Sequence, residues 1–303
     1  MALSTIPPPE PILYLDGEYV PEGRGRLPAL DRAVRFGDGL FETFRCRRGH
    51  VPFLEDHWRR LAASAAFVGI PLPLDARGAL AASRELSRLN RTDDAILRLT
   101  VTRGVGPRTL WPPEDAKPAL IIECIPLLPS TIHPMKIHTS SLRQDANSPL
   151  PRHKTLNRME RILASREARE AGADEALFLN SRGEVAEGTT MSIFWTDGKT
   201  LFTPSLDTNI LPGVTRGVLL RLARKAGIPT EEGRFPPGVL ARAKEVFVTS
   251  AVRGVHPVER IDAQTYPVPK NGLASRLAPL YLAEAFPSGA GADACAEGAC
   301  EIP

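Results

Sequence analysis

The sequence predicts an α+β protein of two domains, and three observations lead there. Short alternating or β-branched runs recur along the 303 residues. Runs with helical apolar spacing are interspersed among them rather than gathered at one end. Near the middle, Pro126, Pro129 and Pro134 crowd one short stretch, which marks a boundary. At a soft prior of ~150 residues per domain, the length also suggests two. The division expected is a small N-terminal domain over 1–127, a linker over 128–134, a larger domain over 135–286 and a disordered tail over 287–303.

Residues 12–20 (ILYLDGEYV) read as a hairpin turning at Asp16-Gly17, and 40–53 as a second turning at Arg48-Gly49. Residues 57–70 carry Trp58, Leu61, Ala65 and Val68 on one helical stripe, and a second helix fits 75–90. Strands follow over 96–104 and 119–127. Beyond the boundary, 135–142 reads as a strand and 143–153 as a polar loop. A helix is expected over 155–172, with Leu156, Met159, Ile162 and Leu163 as its apolar stripe and Gly172 as its stop. Short strands ALFLN, MSIFW and TLFTP come next, joined by turns at Arg182-Gly183 and Asp197-Gly198. The rest is a helix over 214–227, a buried strand over 245–250 and a last helix over 272–286. The tail is small, polar and glycine-rich, a composition that cannot bury a core.

Lys and Arg number 38 against 35 Asp and Glu, a net charge of +3. That balance, spread along the chain, argues against a nucleic-acid partner. The richest apolar run, 62–74, is short and broken by Pro71 and Pro73, so no membrane span is expected. MALSTIPPPEP lacks the basic start and apolar core of a signal peptide, so a cytoplasmic location is the expectation. Cys46 and Cys124 read as buried thiols, and Cys295 and Cys300 sit in the tail. The histidines show no metal-ligand spacing, so no metal is expected. The glycines of GDG and GVG lack the strand–GxGxxG–helix context of a dinucleotide site.

Lys154 stands apart among the few lysines. It ends a polar loop and opens the helix expected next, a place from which an amine can point back into a cleft. Such an amine forms a Schiff base when desolvation or a neighbouring cation lowers its pKa. On position alone a solvent-facing lysine at a helix start is the commoner reading; the surrounding words change it. Lys154 precedes Leu156-Asn157, and Glu187-Gly188 follows after a short strand. DRAVRFGDGLFETFR (31–45), HWRRL (57–61), VTRGVGPR (101–108), TPSLDTNILPGVTR (203–216) and EVFVTSAVRGVHPV (245–258) stand around them in order.

Together these words resemble the class IV aminotransferase family, the fold-type IV enzymes of pyridoxal 5′-phosphate (PLP), over nearly all of residues 12–260. The resemblance implies a small N-terminal α/β domain, a larger domain with a strand-rich, barrel-like core, and a homodimer. Lys154 would hold the cofactor as a Schiff base and then move the proton. Glu187 would face the pyridine nitrogen, where a carboxylate keeps the ring a cationic electron sink. Arg60 would bind the phosphate, Leu211 would pack against the ring, and Gly213, Val214 and Thr215 would offer amides at a helix start. Ser250 and Ala251 match a second phosphate loop, with Ala251 where many relatives place Thr.

Three branches of the family compare differently. Branched-chain aminotransferases carry Phe-Glu-Gly where this chain has Phe41-Glu42-Thr43. D-amino-acid aminotransferases trap a carboxylate with tyrosine, arginine and histidine; here Arg108 matches, but Phe41 and Leu110 replace the other two. The aminodeoxychorismate lyase branch of folate synthesis fits best in FGDGLFETFR and TPSLDTNILPGVTR. It implies Thr43 as the proton donor to the leaving enolpyruvyl group, with Phe41, Arg108 and Ser250 lining the substrate. Ser250 and Ser192 both stand where relatives often carry Asn. The same residues serve a lyase and a transaminase, so an aminotransferase acting on a D- or branched-chain amino acid stays open.

Overall fold

The structure, a computed structural model of the chain, describes residues 10–127 and 133–287. Most of the expected linker, and the tail with Cys295 and Cys300, lie outside the described residues. The chain falls into two compact units, one on each side of that central stretch.

The first unit is an antiparallel sheet with helices on one face. Its elements are β1 (Ile12–Leu15), β2 (Glu18–Pro21), α1 (Arg32–Phe36), β3 (Gly39–Arg47), α2 (Leu54–Val68), α3 (Ala76–Leu89), β4 (Asp94–Thr102) and β5 (Leu120–Pro126). The sheet order is β2-β1-β5-β4-β3, which leaves β3 at an edge. Asp16 and Gly17 both take positive φ, 49° and 103°, as a tight hairpin turn between right-twisted strands requires. Leu40, Phe44, Leu97, Leu99 and Ile122 on one face of the sheet pack against Leu61, Ala65, Ala79, Ala82 and Leu86 of α2 and α3. Trp58 and Val68 of the expected stripe lie partly buried against the same core.

The matched word at 31–45 is a short helix followed by a strand. Asp31 caps α1 by accepting from the Ala33 amide, and Gly37 ends it in the left-handed region at φ 67°. The hairpin turn at Arg48-Gly49 forms, yet its return strand shrinks to a single bridge between Arg47 and His50. Phe53 then takes φ 54° and α2 begins at once, with Glu55 and Asp56 in its first turn, where the helix dipole favours them.

The second unit is one mixed sheet with, among the described residues, three α-helices. Its elements are β6 (Met135–Gln144), α4 (Met159–Glu170), β7 (Glu175–Asn180), β8 (Val185–Gly188), β9 (Ser192–Thr196), β10 (Leu201–Pro204), α5 (Val214–Lys225), β11 (Thr230–Gly233), β12 (Glu245–Ser250), β13 (Gly254–Ile261), β14 (Gln264–Thr265) and α6 (Leu273–Ala285). The order is β11-β10-β9-β12-β13-β6-β7-β8, with β14 on β13. The parallel pairs among the described strands are β10–β11, β13–β6 and β6–β7. The sheet curls into a half-barrel: β8 at one end lies against β9 and β10 near the other, and the Val185 amide donates to the Phe235 carbonyl at 2.8 Å. Met135, Ile137, Leu177, Ile193, Trp195 and Val246 belong to its main core.

The helix expected over 155–172 begins later, at Met159, and buries a different face. Ala164 and Ala168 pack inward, whereas Met159 and Ile162 are 61% and 58% exposed. Residues 154–158 precede the helix, and Arg158 supplies no side-chain cap. Small alanines let α4 lie close on β6 and β7, which a stripe of large side chains would prevent. Lys154 therefore sits in the approach to the helix rather than on it.

Candidate active site

Lys154 lies half-buried in a short segment between a 3-10 turn (Leu150–Arg152) and α4. That segment is strung between two anchors. On one side Arg152 Nε donates to Asn209 Oδ1 at 3.0 Å; on the other Arg158 Nη2 donates to the Thr189 carbonyl at 2.7 Å. Asn209 itself is buried at φ 68°. Its amide Nδ2 donates to the carbonyls of Asp145 and Ser148, and its own carbonyl accepts from Gln144 Nε2. One asparagine thus orders the polar loop that leads to the lysine. It also stands two positions before Leu211, as Thr189 stands two after Glu187.

Glu187, on β8, is almost fully buried. Its Oε1 accepts from Arg161 Nη2, and its Oε2 accepts from the Leu211 amide at 3.2 Å. The fold therefore brings together Glu187 and Leu211, which are well separated in the chain. Behind them Glu175, also buried, accepts from the Thr189 amide and hydroxyl and from the Thr190 hydroxyl, which fixes the turn after Gly188.

Gly213 is the N-cap of α5 and offers no side-chain cap. The amides of Val214, Thr215 and Arg216 therefore open the helix without intrahelical acceptors, at its positive dipole end. A Cβ on Gly213 would lie 2.8 Å from Ser192 Oγ, so glycine lets this backbone rest on β9 without displacing that hydroxyl. Ser192 pairs with Thr249 across β9–β12, and Ser250 ends that strand. The Ser250 hydroxyl accepts from the Arg253 amide at 3.2 Å, and Ala251 adds no polar side chain. Tyr281 of α6 links the two loops: its hydroxyl is 3.5 Å from Thr215 Oγ1, and its ring packs on Gly254 at φ 63°.

PLP needs an amine, a carboxylate for its ring nitrogen and a cradle for its phosphate. Lys154, Glu187 and the α5 start form a donor set of that chemistry within one unit. The Thr249 hydroxyl, fully buried, has no hydrogen-bond partner among the described residues. The residues present fit the group.

The other expected residues lie in the first unit. Phe41, buried, and Thr43, half-buried, alternate with Glu42 along β3 and so share the face opposite it. Arg98 sits directly across from Thr43 and lies over the Phe41 ring at 4.0 Å. Arg60, on α2, meets the Glu42 carboxylate in a fork, and His57 Nδ1 is 2.9 Å from Glu42 Oε2. Burial raises the Glu42 pKa, but Arg60 and His57 outweigh it and hold the carboxyl well below its usual range. Arg108 is exposed, in the loop between β4 and β5. Buried Arg32 pins that loop by donating to the Thr109 and Leu110 carbonyls at 2.9 Å each, while its Nε pairs with Asp38.

Arg161, Asn209, Glu175, Arg32 and Tyr281 were not singled out in the sequence. Asn209, Arg32 and Arg161 carry a signal: Asn209 and Arg32 lie inside matched words, and Arg161 lies on the helix that follows the lysine. Glu175 and Tyr281 look like ordinary surface or core residues until their partners are known.

Comparison with known proteins agrees. The model of the amino-transferase class IV family matches residues 39–261. A Methanocaldococcus jannaschii protein, provisionally named a branched-chain-amino-acid aminotransferase, is 35% identical over 256 residues, covering 83% of this chain and 88% of its own. The aminodeoxychorismate lyase of Bacillus subtilis is 31% identical over 281 residues, covering 90% and 94%. The branched-chain amino acid aminotransferase of T.th., solved with pyridoxamine 5′-phosphate, superposes with a TM-score of 0.84 at 25% identity, over 90% of this chain and 93% of its own. With the fold and the family match in agreement, this chain belongs to the class IV aminotransferase family, whose cofactor is pyridoxal 5′-phosphate.

Proposed function

We propose that the enzyme is a lyase converting 4-amino-4-deoxychorismate to 4-aminobenzoate and pyruvate, a step of folate synthesis. Thr43 carries this reading. It places a half-buried hydroxyl on β3 beside Phe41 and opposite Arg98, at the position where the branched-chain pattern has glycine. The similarity to the Bacillus subtilis lyase, which extends over 90% of this chain, supports it.

When bound, the cofactor supplies a cationic ring that stores the electron pair left by a departing proton. Each protein residue then has a limited task. The Lys154 amine takes the ring proton from the amine-bearing carbon of the substrate. The Glu187 carboxylate accepts the N–H of the cofactor's ring nitrogen. Arg60, the amides of Gly213, Val214 and Thr215, and the loop at Ser250 and Ala251 hold the phosphate. Leu211 packs against the ring. Arg108 pairs with a substrate carboxylate, and Phe41 and Ser250 line the substrate. The ether C–O bond breaks, Thr43 donates a proton to the methylene carbon of the leaving enolpyruvyl group and regains one derived from that held on Lys154, and pyruvate departs as the ring aromatises.

A second reading rests on the 35% identity to the Methanocaldococcus jannaschii protein and on 32% identity to a D-alanine aminotransferase of Bacillus licheniformis: transfer of the amino group between a branched-chain or D-amino acid and a 2-keto acid. Incubation with aminodeoxychorismate separates them. The lyase releases pyruvate and 4-aminobenzoate in equal amounts; failure there, with turnover of an amino acid and a keto acid, supports the transaminase. We also propose a homodimer, as the family resemblance implies; the exposed Met159 and Ile162 on α4 are apolar side chains that a second copy would cover.

A further inference from the structure

We infer that Arg161 is a positioning residue that aims the Glu187 carboxylate at the cofactor's ring nitrogen. The inference rests on the proposed role of Glu187 and adds a residue that no part of that role requires. Arg161 stands in the first turn of α4 and is only 16% exposed. Its guanidinium does two things at once. Nη2 donates to Glu187 Oε1, and Nη1 donates to the carbonyls of Gly188 and Thr189 at 2.9 and 3.0 Å.

Three contacts on one rigid, planar group fix the carboxylate relative to its own backbone. A lysine could not do this, because its single nitrogen has no fork. Arg161 occupies Oε1, and the other oxygen meets the long contact from the Leu211 amide, 3.2 Å. A carboxylate oxygen has two lone pairs, so Oε2 keeps capacity for a further N–H. Oε1 keeps the same capacity, so what Arg161 sets is the plane and direction in which the carboxylate is offered.

A second arginine of the same helix start couples two parts of the site. Arg158, one turn earlier at the same helix start, holds the Thr189 carbonyl at 2.7 Å. The segment that carries Lys154 and the strand end that carries Glu187 are therefore pinned by neighbouring arginines of one helix turn. Phe178, buried beneath, has its ring centroid 5.6 Å from the Arg161 guanidinium carbon and limits where that group can move.

The test compares two cofactors on the apoenzyme. One is PLP; the other is its analogue with the ring nitrogen replaced by C–H. Affinity is read from absorbance and fluorescence titrations, without turnover. Arg161→Met is expected to weaken PLP about tenfold or more, the size of a lost charge-assisted contact, and to leave the analogue within about twofold. In a Glu187→Gln background the same substitution should add nothing. Arg161→Lys keeps the charge but not the fork, and should lose PLP preference severalfold; it carries the test if Arg161→Met fails to fold. Equal weakening of both cofactors, or of neither, overturns the inference and leaves Arg161 a scaffold residue. If Glu187→Gln alone leaves the preference for PLP over the analogue intact, it is the Glu187 role that fails instead.

Discussion

The Glu42 carboxylate takes both prongs of the Arg60 fork, Nε on Oε1 at 2.8 Å and Nη2 on Oε2 at 2.7 Å, with Glu42, Arg60 and the adjacent His57 all shielded from water. Breaking such a pair leaves a buried charge unmatched, so Glu42→Gln should cost about 3–5 kcal/mol of stability. The folded-state pKa is depressed, despite the upward push of burial, by Arg60 and His57. A depressed carboxylate stabilises the fold above its unfolded pKa, and that stability is lost as pH falls through the folded value. The gap between wild type and Glu42→Gln in urea titrations should therefore be full above about pH 5 and narrow by about 1–2 kcal/mol by pH 3. A gap that stays constant over that range contradicts the pairing.

Arg32 is the buried pin of the loop that carries Arg108. Arg32→Met frees the Thr109 and Leu110 carbonyls and removes one of the two arginines on Asp38; the other, Arg103, stays. Limited trypsin digestion should cut after Arg108 many times faster in the variant, at a stability loss of about 3 kcal/mol. Unchanged cleavage would show that the loop is held by other contacts.

Gly213 rests directly on Ser192. In Gly213→Ala the new methyl meets Ser192 Oγ at 2.8 Å, a crowding that should cost about 1–3 kcal/mol. The α5 start should shift, and PLP affinity should fall alongside the melting temperature. Adding Ser192→Ala removes the clashing atom and should recover most of both. A double variant no better than the single one contradicts this packing.

Cys46 and Cys124 are buried and free. Burial pushes the Cys124 thiol up to about 11 and raises Cys46 as well. With little thiolate near neutral pH, neither should react with iodoacetamide in the native protein, and both should react in urea. Peptide mapping of the alkylated protein reads the two positions separately.

Much of this fold could be read in advance where local chemistry acts alone. Asp16-Gly17 announces its hairpin, the apolar spacing over 75–90 its helix, and alternation along 96–104 its strand. The errors came where a partner distant in sequence decides. The stripe of Leu156, Met159, Ile162 and Leu163 has helical spacing, yet Ala164 and Ala168 face the sheet because β6 and β7 leave little room. β13 carries Pro257, Glu259 and Arg260, which conceal a strand buried between β12 and β6. The family words around Lys154, Glu187 and Gly213 were legible as words. Arg161 and Asn209, which hold those words in place, show their partners only once the chain has folded.

The lysine at 154 is the centre of the account, and one measurement addresses it directly. Purified protein supplied with PLP should absorb in the visible range. Borohydride should bleach that band and leave the reduced cofactor covalently attached to the peptide containing Lys154, as read by mass spectrometry. Lys154→Ala should show neither band nor adduct. A variant that keeps the band, or an adduct found on another lysine, would contradict the account.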